Sequence, residues 1–128
     1  MKYFENFENE FGLLENLESW IFVEWSAANE YEHTKGVNIP TNALYALALE
    51  KASFLLKDEI MLFKANEIHS NIIRLGDNGD FFVDNLIRNE MGELIKTSNL
   101  TEVTQYYLFW CETITKGTYL LLYKKLIT

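Results

Sequence analysis

Apolar residues recur at three- and four-residue steps along much of this chain, the period of helices packed on one side. Phe4, Phe7, Phe11, Leu14, Ile21 and Trp25 keep that step through the opening stretch, widened by Leu13 and Leu17. The spacing predicts one long helix, with Glu5, Glu8 and Glu15 together on the face away from the rings. Glu18 and Glu24 fall inside the apolar arc. Residues 20–25 are rich in β-branched and aromatic types, so a helix followed by a short strand is the alternative. Residues 33–40 then read as a loop ending in a helix start, with Asn38 or Thr41 as N-cap and Pro40 early in the first turn. From there to Lys64 the pattern is strongly amphipathic, and only Glu59 interrupts the apolar face.

The next segment has two readings. Ile68, Ile72 and Leu75 suit a short helix ended by Gly76, whereas Asn78-Gly79 between apolar runs suits a β-hairpin near residues 70–84. The helix is favoured. Asp80 then caps a predicted helix carrying Phe82, Val83, Leu86, Ile87, Met91, Leu94 and Ile95. Asn99 with Glu102 resembles a capping box ahead of Val103, Tyr106, Tyr107, Trp110 and Ile114. Tyr119 to Tyr123 forms a final helix or a terminal strand, and Lys124-Lys125 suit a helix C-terminus. No internal repeat or linker is evident. The expectation is a mostly α, single-domain bundle of four to six helices spanning residues 1–128, with the hairpin near 70–84 as its one β alternative.

Composition sharpens this picture in two places. One proline and six glycines are few for 128 residues, which favours helices over a turn-rich sandwich. Charge is distributed very unevenly. Eight glutamates and a single lysine precede Lys35, so −7 of the net −8 lies in the first quarter of the chain. A helix that is merely solvated usually intersperses Lys with Glu and gains i,i+4 pairs. A one-signed surface instead favours encounter with a cationic protein. A sequence pI near 4.7 argues against direct binding of nucleic acid or anionic lipid. The start of the chain lacks an apolar signal core and no run is long enough to span a bilayer, so a cytoplasmic location is expected. The lone Cys111 agrees with a reducing compartment.

Catalytic signatures are scarce. There is no glycine-rich phosphate loop, no GxSxG elbow, and one cysteine is too few for a zinc ribbon. Glu30 and His33 form one Glu-x-x-His unit, but a di-iron centre needs two such units and further glutamates. No metal site and no cofactor are expected. Cys111 reads as a buried core residue, because no neighbouring cation lowers its pKa. Glu24 and Glu59, if buried, could serve a ligand-binding domain or a small helical enzyme. For Glu59 a structural partner such as Arg74, Arg88 or Lys51 is favoured. The balance is against an enzyme.

The acidic run and its aromatic residues point to a basic protein partner. Glu5, Glu8, Glu15, Trp25, Glu30, Tyr31 and Glu32 are the candidate contact residues, since aromatics commonly anchor interfaces. In size, charge and aromatic decoration the chain resembles small acidic bacterial toxin-immunity proteins; no motif is matched. That resemblance implies an inhibitor that occludes the cleft of a basic, nuclease-type toxin domain, its carboxylates meeting cleft Lys and Arg. A phage-encoded inhibitor of a host defence enzyme would use the same physics. A helical oligomerisation module is the plainer alternative.

Overall fold

The computed structural model describes residues 2–18 and 21–127. Six helices account for most of its regular structure: α1 (Lys2–Glu5), α2 (Tyr31–Thr34), α3 (Ile39–Leu56), α4 (Glu59–Gly76), α5 (Glu102–Trp110) and α6 (Leu120–Ile127). A small antiparallel sheet joins them, with β1 (Val37–Asn38) and β3 (Leu94–Lys96) on either side of β2 (Asn85–Arg88). The fold is mostly helical, but the sheet makes it a mixed structure rather than a pure bundle. No helix among the described residues is long and apolar enough to cross a membrane.

The helical hairpin of α3 and α4 forms the spine. Asn38 starts it as expected, its Oδ1 accepting the Thr41 N–H at 3.0 Å with Pro40 in the first turn. Ile39, Ala43, Ala46 and Leu49 of α3 are buried in the same core as Ala65, Ile68 and Ile72 of α4. Leu13, Leu14, Phe82, Val83, Leu86, Leu108, Ile114 and Leu122 complete that core. Two buried amides fasten the remaining chain to it. Asn42 accepts the Leu14 N–H at 2.7 Å and donates to the Leu14 carbonyl at 3.1 Å. Gln105 treats Phe82 the same way, at 2.9 and 2.7 Å. Each side chain thus supplies a neighbouring backbone with the donor and acceptor a strand would have given, which buried peptide groups require.

The structure departs from the sequence expectations at several points. The opening stretch is not a long helix. After α1 the chain turns back at Asn9-Glu10-Phe11-Gly12, where Asn9 Oδ1 accepts the Phe11 and Leu13 N–H groups at 2.9 and 3.1 Å and Gly12 takes a positive φ. Residues 21–25 form neither helix nor strand; Trp20 lies outside the described residues. The amphipathic pattern running to Lys64 is broken by Lys57 in the left-handed region and by Asp58, whose carboxylate caps α4. Glu59 consequently stands exposed in the first turn of α4 rather than inside an apolar face. Its proposed partner Arg88 is engaged elsewhere, by Glu10 and Glu15.

A further correction concerns the hairpin. Residues 59–76 are helical as favoured, and the Asn78-Gly79 turn closes only an isolated bridge between Asp77 and Phe82. The hairpin lies further on, where a helix was expected: Leu86, Ile87 and Arg88 pair with Lys96, Ile95 and Leu94. Its turn, Asn89-Glu90-Met91-Gly92, matches residues 9–12 in sequence and in bonding. Asn89 Oδ1 accepts the Met91 and Glu93 N–H groups at 2.9 Å, and Gly92 also has a positive φ. Asparagine at the first position and glycine at the fourth is a turn signal that helical spacing of the flanking apolar residues had masked. At the C-terminal side, Thr101 rather than Asn99 is the N-cap of α5, and the segment from Leu120 is helical.

Candidate protein-docking site

Of Glu5, Glu8 and Glu15, expected together on an open helix face, Glu8 and Glu15 are drawn inward by cations from distant parts of the chain, while Glu5 stays exposed. Lys64 lies 2.7 Å from Glu8 and 3.9 Å from Glu5. The Tyr45 hydroxyl donates to Glu8 at 2.7 Å, and burial together with that carboxylate pushes the phenol's pKa up. Arg88 grips Glu15 with two nitrogens, Nε at 2.9 Å and Nη2 at 2.8 Å, and also binds Glu10 and the Gly92 carbonyl. One guanidinium therefore ties both Asn-Glu-x-Gly turns together, a use that suits its planar fork of donors. The Arg88 hydrogen bond holds the Glu15 carboxyl below its ordinary pKa, against the opposing effect of burial.

The other four candidates, Trp25, Glu30, Tyr31 and Glu32, are all exposed and lie close together along the chain. Trp25 is 82 % and Tyr31 74 % exposed. Beneath Trp25 the chain is anchored by buried Val23 and Ala28. The Tyr107 hydroxyl donates to the Val23 carbonyl at 2.7 Å, Asn29 Oδ1 accepts the Val23 N–H at 2.6 Å, and Ser26 caps a single 3₁₀ turn, Ala27–Asn29. Trp25 stands edge-on to Phe22, ring centroids 5.1 Å apart. Glu30 is the N-cap residue of α2 without a side-chain cap bond, and Glu32 pairs with Lys35 at 2.6 Å. Glu18 and Glu30 form no ion pair with any described residue.

Helix α2 has only four residues, too few to hold itself in water. Side-chain amides hold it instead. Asn38 donates to the His33 carbonyl at 3.1 Å, Asn85 to the Glu32 and Lys35 carbonyls at 2.9 Å, and Asn99 to the Glu32 carbonyl at 2.8 Å. His33 Nδ1 lies 2.5 Å from Oδ2 of the buried Asp84. The second oxygen of that carboxylate accepts the Thr101 N–H and the hydroxyls of Thr101 and Thr104, at 3.0, 3.0 and 2.7 Å. A buried carboxylate with its acceptor sites so fully used is stable where a bare one is not. His33 is thus a structural link between α2 and the residue just before β2. Gly36 is required just after α2: its φ is +71°, and a Cβ there would collide with the Leu86 carbonyl oxygen.

A cleft of about 680 Å³ adjoins this stretch, lined by Leu17, Glu18, Ile21, Asn29, Tyr31 and Lys35 among others. Tyr31 and Lys35 also line an adjoining hollow that reaches Glu15 and Arg88. Of the residues that fix this geometry, Asp84, Asn85 and Gly36 were not singled out from sequence, and Asn99 was expected to cap a helix instead. Their only signal was the abundance of asparagine near turns, which does not say which backbone each amide will find.

The remaining chemical candidates have other roles. Burial pushes the Cys111 thiol up to about 11, so it is not a thiolate nucleophile at neutral pH. Burial also lowers the pKa of His69, whose Nδ1 meets the Thr113 hydroxyl at 2.8 Å. Glu24 is half-buried, and its Oε1 is buried without a hydrogen-bond partner among the described residues. Since Glu59 is exposed, the idea of a site built on a buried Glu24 and Glu59 loses one of its two members. No group of three or more His, Cys, Asp or Glu among the described residues is arranged to hold a metal ion. Comparison with protein-family models, curated proteins and solved structures finds no match for this chain.

Proposed function

We propose that this protein is a non-enzymatic binding inhibitor that docks onto a basic protein through the edge formed by Trp25, Glu30, Tyr31 and Glu32. The immunity-type reading fits best: a cytoplasmic antidote that occludes the cationic cleft of a nuclease-type toxin domain. One observation carries it. Tyr31 and Glu32 stand on backbone fastened by His33–Asp84 and three asparagines, and Trp25 stands on backbone anchored through Val23 by Tyr107 and Asn29. Rigid presentation lowers the entropy lost on docking, and exposed aromatics flanked by charge are the usual composition of an interface hot spot.

The physics of occlusion then divides the work. Carboxylates of Glu18 and Glu30, unpaired within the described chain, meet lysines and arginines of the target cleft and speed encounter. Tyr31 and Trp25 supply contact area with few rotamers to freeze. Glu8 and Glu15 drop out of the contact set, since their charges are satisfied internally, whereas Glu5 stays exposed with Lys64 3.9 Å away.

The direct test is calorimetric titration with the C-terminal domain of a toxin encoded beside this protein, with that domain's nuclease activity followed in parallel. Tyr31→Ala combined with Trp25→Ala should weaken binding by about a hundredfold or more, two hot-spot residues at roughly 2 kcal/mol each being enough. Replacing Glu5 with Gln should leave affinity within about twofold, because exposed ion pairs contribute little. Equal affinity of wild type and the double aromatic variant, both folded, would show that the target sits elsewhere.

A further inference from the structure

The far end of the α3–α4 hairpin carries an apolar surface that the docking edge does not use. Phe54, Leu55, Leu56, Ile60 and Phe63 are 71 %, 85 %, 67 %, 72 % and 66 % exposed. They come from the last turn of α3 and the first turns of α4, separated only by the link at Lys57 and Asp58. Phe63 also borders a groove of about 410 Å³ whose walls include Phe11 and the charged Glu10, Lys64 and Glu67. Isolated exposed apolar residues are ordinary, but five on one hairpin end are not. Five side chains of this size, each about two-thirds or more exposed, offer apolar area of the same order as the roughly 800 Å² each partner contributes to a standard interface.

Charge selects the occupant. The chain carries −8, yet residues 51–63 hold Lys51 and Lys57 against Asp58 and Glu59 and are neutral as a group. A second acidic copy therefore meets no like-charged surface here, whereas a basic partner gains nothing from this end. Lys57 and Glu59 are exposed, two residues apart, and neither forms an ion pair with a described residue. In a two-fold contact the same patch meets itself, so a neighbouring cation and anion are self-complementary. We infer that a second copy of this chain docks at the hairpin tip, giving a two-fold dimer closed over Phe54, Leu55, Leu56, Ile60 and Phe63, with Lys57 of each copy facing Glu59 of the other.

Sedimentation equilibrium across the micromolar range tests this on the full chain. The wild type should pass from monomer to dimer mass with concentration. Leu55→Glu, at a position too exposed to disturb the core, should remain monomeric with an unchanged far-ultraviolet circular dichroism spectrum. Lys57→Glu alone should weaken the dimer at least fivefold at low salt, and Lys57→Glu with Glu59→Lys should restore it. A wild type that stays monomeric throughout overturns the inference, as does a dimer that survives Leu55→Glu. Co-sedimentation of a monomeric wild type with phosphatidylcholine vesicles would equally overturn it, by assigning the tip to lipid.

Discussion

The Phe4–Glu15 stretch and the Trp25–Glu32 stretch look alike in composition, each mixing glutamates with aromatic residues, yet they end in opposite states. In the first, the carboxylates meet a cation or a hydroxyl from far along the chain: Glu8 with Lys64 and Tyr45, Glu15 with Arg88. Its rings Phe4, Phe7 and Phe11 pack against the core. In the second, the backbone is held from beneath while rings and acids face outward. Composition alone therefore does not identify an interface. What separates the two is whether the rest of the fold brings a counter-charge to each acid.

The comparison breaks most severely if the support under the second stretch is removed. Asp84→Ala should cost about 3 kcal/mol or more, because it orphans the Thr101 N–H, two hydroxyls and His33 at once. Urea denaturation measures it, and an effect below about 1 kcal/mol would mean the network is not what fixes α2. Arg88→Ala acts on the first stretch. It leaves Glu15, whose side chain is 12 % exposed, without its counter-charge and with only the Asn9 amide as a side-chain donor, and about 2 kcal/mol should be lost, less than for a fully buried pair.

A smaller effect is expected from acid. The folded-state pKa of Glu15 lies below its unfolded value, so its contribution is complete above the unfolded pKa and is lost as pH falls through the folded one. Glu15→Gln should therefore flatten the loss of stability below about pH 4.3, with little change in slope at neutral pH. Thermal melts of both proteins over that range decide the point. The smallest effects belong to the outward edge. Glu30→Gln and Tyr31→Ala should each shift unfolding free energy by no more than about 0.5 kcal/mol. A larger loss by denaturant titration would place these residues in the fold rather than on a docking surface.

Local signals in the chain were legible where they are chemically self-contained. The Asn38–Pro40 helix start, the long apolar periodicity of α3 and α4, and the helical continuation to Gly76 all follow from neighbours within a turn or two. The Asn-Glu-x-Gly turns at residues 9–12 and 89–92 belong to the same class, although apolar spacing around them imitated helices. Periodicity reports which residues are apolar; a turn between them changes which way they face. Asp58 shows this most simply, since one cap turns a single amphipathic helix into a hairpin, moves Glu59 into solvent and leaves the apolar tip bare.

The charges were a different matter. Sequence determined that the first quarter of the protein is acidic and aromatic, because that is a property of residues counted along the chain. It did not determine which acids remain available, because Lys64 and Arg88 reach Glu8 and Glu15 from fifty and more positions away. Nor did it tell which asparagines would hold α2, since an amide satisfies any unpaired carbonyl the fold carries to it. Periodicity acts over four residues and is written in order; electrostatic and hydrogen-bond pairing acts over a few ångströms of space. Only the tertiary structure brought those positions within that reach.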